Sequence, residues 1–284
     1  VMLSNIFASL LFNTLFAYIN FRGIQVAGWV QTGAVAILAA AAVFFFGSGF
    51  ALGDASNAQP LFTGIEGLAT VLLIVPGFLS GFNAIPQAFE ETNVPPRTVG
   101  RLVLYTVWGS ALFYILIIVG LGFAAPLEFR AGEGLVVIEA VGVMFGGSKI
   151  AMFFVTFAAL LGMLTTWNAA YIAGSRFIFG LARAKILPPV FTKLHWKYGT
   201  PHTAIFFLFL LGTVAPFLGT ASTVYVGLMN VAAFGLVITW LIVSLSFIKL
   251  RQTMPDINRP YRVPAGKVIG WVSVVYCLAY LFLY

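Results

Sequence analysis

Long apolar runs constrain this sequence more than any other feature. Stretches of about 20 predominantly apolar residues, the length a bilayer core requires, fall at roughly 2–20, 24–46, 66–90, 99–123, 149–182, 203–218, 222–248 and 267–284. Such spacing leaves one fold class, an all-α membrane protein built as a polytopic helical bundle. The remaining composition agrees. Of the 284 residues 61% are hydrophobic and 8% charged, whereas a soluble globular chain carries about 25% charge. That excludes a soluble enzyme, a nucleic-acid binder and a disordered chain. A net charge of +7 suggests a polyanion partner at first sight, but the cations sit in short loops between the spans, where they set topology. Cys277 is the single cysteine, so neither an internal disulfide nor a cysteine metal cluster is available.

Lys and Arg divide unequally between alternate loops. Arg22, Arg97, Arg101, Arg176, Arg183, Lys185, Lys193, Lys197, Lys249, Arg251, Arg259, Arg262 and Lys267 fall on one side, against Arg130 and Lys149 on the other. Positive loops stay cytoplasmic, so the first helix enters from outside. Val1 lies almost inside a span and Tyr284 inside another, with no signal-peptide n-region before the first. Both ends therefore read as cut, and an odd number of preceding helices is expected.

The third span carries the chemistry. It holds Pro76, Gly77, Ser80, Gly81, Phe82, Asn83 and Pro86 and ends at Glu90 and Glu91. Pro86 has no N–H to offer the carbonyl of Phe82, and Gly81 lets the chain leave helical geometry cheaply. Irregular backbone at membrane depth persists only where protein or a polar cavity receives it, and a discontinuous helix near the midplane is the mark of a transporter site. Counting from Ala69 at 1.5 Å per residue, Ser80 lies about 16 Å along a core roughly 30 Å thick. Asn83 is placed to cap the second half-helix, with Pro86 in its first turn. The alternative is a proline kink packed against a neighbour, with Asn83 as interhelical glue.

These residues resemble the amino acid–polyamine–organocation (APC) transporter superfamily. Its sixth helix has a small-residue break, an aromatic, a polar or acidic residue, then a Glu pair and an Asn-x-Pro-x-Arg-like turn. Here those are Ser80 to Asn83, Glu90 and Glu91, and Asn93 to Arg97. Gly174 to Pro189 resembles the family's end of helix eight, Tyr198 to Pro201 its entry to helix nine, and Leu250 to Pro264 its loop between helices ten and eleven. The resemblance implies helices four to eleven of a twelve-helix, inverted-repeat (5+5) transporter, truncated at both ends. Residues 1–48 would then be the last two helices of the first repeat. Residues 66–250 would be the second repeat, and 251–284 a cytoplasmic loop with the start of an accessory helix. It implies a cell-membrane permease that moves an amino acid or related small amine by alternating access, coupled to a proton or a sodium ion. Two departures bear on chemistry. Asn83 stands where many relatives have an acid, which argues against a dibasic substrate, and 24–46 lacks the lysine of some proton-coupled relatives.

The substrate site expected on this reading is Phe78, Ser80, Gly81, Phe82 and Asn83. Main-chain carbonyls around Ser80, Gly81 and Phe82 would hold the amino group, and the ring of Phe78 or Phe82 would cover it. Thr165 and Thr166 are candidates for an ion site, or simply bond their own helix carbonyls. Glu90, Glu91, Arg97 and Arg176 are candidates for a cytoplasmic gate, or mark a solvated helix end. His195 and His202 read as interfacial residues rather than metal ligands. No phosphate loop and no nucleophile with a base is present, so neither an enzyme nor a cofactor is expected. The rival function is a channel or a non-transporting membrane subunit in which the same break lines a pore or only packs.

Overall fold

In hydrocarbon every backbone N–H and C=O must be paired within its own segment, so the apolar runs become helices. The computed structural model describes residues 2–62, 64–87, 89, 94–126, 135–218, 223–259 and 261–283, and among them there are helices and no strands. In chain order the α-helices are α1 Met2–Arg22, α2 Ile24–Leu52, α3 Ile65–Phe78, α4 Ala84–Gln87, α5 Pro96–Ala124, α6 Val136–Met144, α7 Lys149–Arg183, α8 His202–Val214, α9 Thr223–Thr253 and α10 Gly266–Leu283. Each apolar run is accounted for, with the third one split into α3 and α4. By length and composition Gln25–Leu52, Pro96–Ala124, Lys149–Arg183 and Asn230–Thr253 can each cross a membrane. The protein is an all-α membrane protein.

Local chemistry sets the ends. Gly23, at φ 124°, separates α1 from α2, and Pro96 occupies the first turn of α5, where its missing N–H is harmless. Ser148 caps α7 by accepting from the N–H of Ala151. The 35 residues of α7 span about 52 Å, well beyond a core of roughly 30 Å, so this helix is long enough to project from a membrane it crosses.

Lipid tails are as apolar as leucine, so helices associate here through close packing and buried polar contacts. α2 meets α5 on one side and α7 on another. The α2–α5 crossing depends on glycine: a Cβ on Gly49 would lie 2.5 Å from the carbonyl oxygen of Gly120, and one on Gly120 would lie 3.0 Å from the Cα of Phe46. Beside it Phe45 is buried with Ala124, Val141 and Val155, which pins the short α6 against α7.

A second set of contacts is polar and lies between α1, α2, α7 and α8. Asn13 donates to the carbonyl of Phe209 and to Thr213, and accepts from the Tyr171 hydroxyl at 2.5 Å. Asn20 donates to Asn168 at 2.8 Å, and Asn168 donates to Gln31 and to the carbonyl of Ala27. Asn13, Asn20 and Asn168 are fully buried. The outer surface is the reverse, with Trp29, Trp108, Phe153 and Met163 largely exposed, as lipid-facing side chains should be. α9 and α10 pack mainly on each other.

Candidate functional site

α3 runs through Pro76 and Gly77 and stops at Phe78; the chain turns over Leu79 to Asn83 and resumes as α4. At 14 residues α3 is about 21 Å long, shorter than a bilayer core of roughly 30 Å, so a helix entering at one face reaches this turn before the other. Gly81 adopts φ 107°, in the region that L side chains rarely occupy, and this reverses the backbone. Pro86 lies in the single turn of α4, where no N–H is needed.

Which carbonyls the break releases differs from the expectation. The carbonyl of Phe82, deprived of Pro86, takes the N–H of Ile85 at 3.2 Å instead, and that of Gly81 takes Ala84 at 3.0 Å. A tighter i to i+3 turn thus closes where the i to i+4 bond is impossible. Among the described residues no well-formed hydrogen bond reaches the carbonyls of Phe78, Leu79 and Ser80, so the open acceptors lie one step earlier in the chain. Ser80 turns its hydroxyl back onto the carbonyl of Gly77 at 2.6 Å. Asn83 is not an N-cap of α4 either: its side-chain oxygen accepts from the N–H of Gly81 at 3.2 Å and braces the turn from within. A Cβ at Gly81 would meet nothing within 4 Å, so backbone conformation rather than crowding calls for glycine there.

The two candidate rings are held by different helices. Phe78 meets Tyr114 of α5 edge-on, with ring centroids 5.5 Å apart, and Phe82 stacks on Trp240 of α9 at 6.0 Å. Tyr114 and Trp240 were not among the sequence candidates, because no local pattern ties them to the break. The indole N–H of Trp240 is buried with no partner among the described residues. The Phe82–Trp240 pair therefore sets an unsatisfied indole donor beside the turn.

α4 itself touches α7 and α5. Pro86 and Gln87 open onto a cleft of about 690 Å³ lined also by Arg176, Phe179, Arg183 and Leu194. Arg176 is buried, and its guanidinium donates to Ser175 at 3.0 Å and to the carbonyl of Ile172. Arg97 is exposed in the first turn of α5. Glu90 and Glu91 lie outside the described residues. The hydroxyls of Thr165 and Thr166 both donate to the carbonyl of Gly162, at 2.8 and 3.1 Å, with Thr165 buried and Thr166 exposed. Each keeps an oxygen lone pair but points its proton into its own helix. His195 packs against Phe21 and Tyr198, and the described residues contain no group of three His, Cys, Asp or Glu able to hold a metal.

An all-helical membrane chain with one interrupted helix matches a known family along nearly its whole length. Residues 3–284 match the family described as Amino acid permease. The chain belongs to that family. Within it, the chain is similar to the Branched-chain amino acid permease BcaP of Bacillus subtilis, with 24% identity over 227 residues, 78% of this chain and 47% of the relative. It is 25% identical over 204 residues to the Methylthioribose transporter of the same organism, covering 71% of this chain and 42% of that protein. To the D-serine/D-alanine/glycine transporter of Escherichia coli it is 24% identical over 216 residues, 70% and 45% of the two chains. The chain spans less than half the length of each of these relatives. Its motifs thus belong to the amino acid permease family of the APC superfamily.

Proposed function

We propose that this permease is a secondary active transporter of the cell membrane that moves an amino acid or related small amine by alternating access around the turn between α3 and α4. The observation that carries the reading is the row of open carbonyls at Phe78, Leu79 and Ser80, set at membrane depth in a chain of the amino acid permease family. An ammonium has three donors and needs no carboxylate if three oxygens meet it. The ring of Phe78 or Phe82 adds a cation–π attraction of about 0.5–2 kcal/mol. Ser80, Gly81 and Asn83 then act by shaping the turn: Gly81 through its positive φ, and Asn83 through its bond to Gly81. Recognition by main chain leaves the substrate's side chain to other residues. The relatives' names, which range from branched-chain amino acids to D-serine and methylthioribose, support such a division.

Residues 1–48 and 66–250 are proposed to belong to two inverted repeats, with 251–284 accessory to them. In support, α1 and α2 have lengths of 21 and 29 residues, and α8 and α9 repeat the order of a shorter helix before a longer one, 13 and 31. α1 also packs on α8, as equivalent elements of intertwined repeats would. Coupling to a proton or sodium ion is part of the proposal, with the lone pairs of Thr165 and Thr166 as ion ligands. Arg97 and Arg176, with Glu90 and Glu91, would close the cytoplasmic side beside the cleft at Pro86 and Gln87.

The test is amino-acid uptake per folded transporter in liposomes. Gly81→Val forces a β-branched residue into positive φ at about 1–3 kcal/mol and should abolish uptake while leaving insertion intact. Asn83→Ala should change the substrate profile. Unchanged uptake and profile in both variants would remove the turn from the binding site, and flux that neither saturates nor shows counterflow would replace the transporter with a channel.

A further inference from the structure

Where α9 gives way to α10, Arg251, Pro255, Arg259, Arg262 and Lys267 line a cleft of about 200 Å³. No carboxylate lines it among the described residues, so four cations converge without a counter-ion. Two of them have structural work. Arg259 donates to the carbonyls of Leu250 and Met254, at 3.1 and 2.6 Å, and to that of Pro255, which closes the C-terminal end of α9. Arg251 lies over the ring of Phe247, 4.6 Å from its centroid, and donates to the carbonyl of Val263. Gly266 makes room for it, since a Cβ there would collide with the guanidinium. Even so, Nε of Arg251 is buried with no partner among the described residues. Arg262 and Lys267 are exposed, and among the described residues neither has a hydrogen-bond or ion-pair partner.

We propose that this cleft is a phosphate site that takes the headgroup phosphate of an anionic lipid. Guanidinium groups match phosphate oxygens in pairs, and the lysine adds a point charge. The opening turn of α10 contributes further: the N–H of Ile269 bonds Ala265, and among the described residues those of Gly266, Lys267 and Val268 make no well-formed hydrogen bond outside the helix, which leaves them to reinforce an anion. Depth selects a lipid as the source. Arg251 ends an apolar span, and the exposed Trp271 lies just over one turn into α10, both positions typical of the membrane interface. The outer face of α10 presents Val268, Val272 and Val275 to lipid, so acyl chains can run along it below the bound phosphate. The cluster is built for an anion, whereas the open carbonyls before Gly81 suit an ammonium, which separates the two sites.

The experiment measures thermal stabilisation of the purified transporter by added phosphatidylglycerol, phosphatidylcholine or inorganic phosphate. Phosphatidylglycerol should stabilise with saturation, and phosphatidylcholine should not. Arg262→Gln and Lys267→Gln break no hydrogen bond or ion pair found among the described residues and should each raise the half-saturating lipid concentration about fivefold, and together about 25-fold. Lys193→Gln, an exposed cation in another loop, should leave it unchanged. Equal lipid response in the double variant, or an equal shift from Lys193→Gln, overturns the site. Stabilisation by inorganic phosphate as large as by phosphatidylglycerol overturns the lipid source.

Discussion

Replacing Gly49 with alanine measures how far the α2–α5 crossing depends on backbone contact. The new Cβ would sit 2.5 Å from the carbonyl oxygen of Gly120 and 3.1 Å from its carbonyl carbon and Cα, where ordinary contact begins at 3.4 Å. Every atom in the way is main chain, so no rotamer change relieves the clash and the helices must part by about 1 Å. Such a gap forfeits roughly a quarter to a half of the dispersion energy of each contact it opens, and overpacking of this kind costs about 1–3 kcal/mol. Opposing it, alanine is better than glycine in a helix by up to about 1 kcal/mol. Gly47 supplies the control: it is on the same helix and a Cβ there meets nothing within 4 Å. Gly47→Ala gains the propensity alone, so Gly49→Ala should be less stable than Gly47→Ala by about 1–3 kcal/mol in reversible unfolding from mixed micelles. Equal stability of the two variants would refute the close approach of α2 and α5.

Other outcomes follow from the same contacts. Asn168→Leu removes the bonds to Asn20, Gln31 and the carbonyl of Ala27; at about 0.6 kcal/mol per interhelical bond, and up to roughly 1.7, it should cost about 1–3 kcal/mol in the same assay. Adding Asn20→Leu should cost less than the sum of the two single changes, because the pair shares a bond. Asp54 caps the turn Ala55–Ala58, and the backbone N–H of Ser56, followed by its side chain, holds the Asp54 carboxyl below its ordinary range. A lowered folded-state pKa means that this contribution is present above the unfolded pKa and is lost as pH falls through the folded one. Wild-type stability should therefore fall towards that of Asp54→Ala in acid and exceed it at neutral pH, which a pH series of melting curves checks.

Much of this architecture was legible locally. Helix α7 could be placed from Lys149 to its basic end because an uninterrupted apolar run after Ser148 has no cheaper conformation in lipid, and the structure extends it to Arg183. The break was legible for covalent reasons: Pro86 has no N–H and Gly81 has no Cβ, wherever they sit in a fold. Which oxygens the break exposes was not, since Phe82 and Gly81 regain donors through tighter turns and the open carbonyls move to Phe78, Leu79 and Ser80. Nor could local pattern show that Asn83 would turn back to Gly81 rather than cap α4.

The remaining features are properties of pairs far apart in the chain. Asn13 and Thr213 are 200 residues apart and Asn20 and Asn168 are 148, and an asparagine in an apolar run announces only that it needs some partner. Gly49 and Gly120, Phe82 and Trp240, and Arg251 and Gly266 are likewise ordinary residues until packing brings them together. The sequence by itself determined which segments must be helical in a membrane and where one of them must break, because those follow from transfer of apolar side chains and from backbone covalent structure. Only the tertiary structure decided which polar groups are satisfied and which stay open to a ligand, because a hydrogen bond depends on a few tenths of an ångström between segments whose spacing is set by the whole bundle.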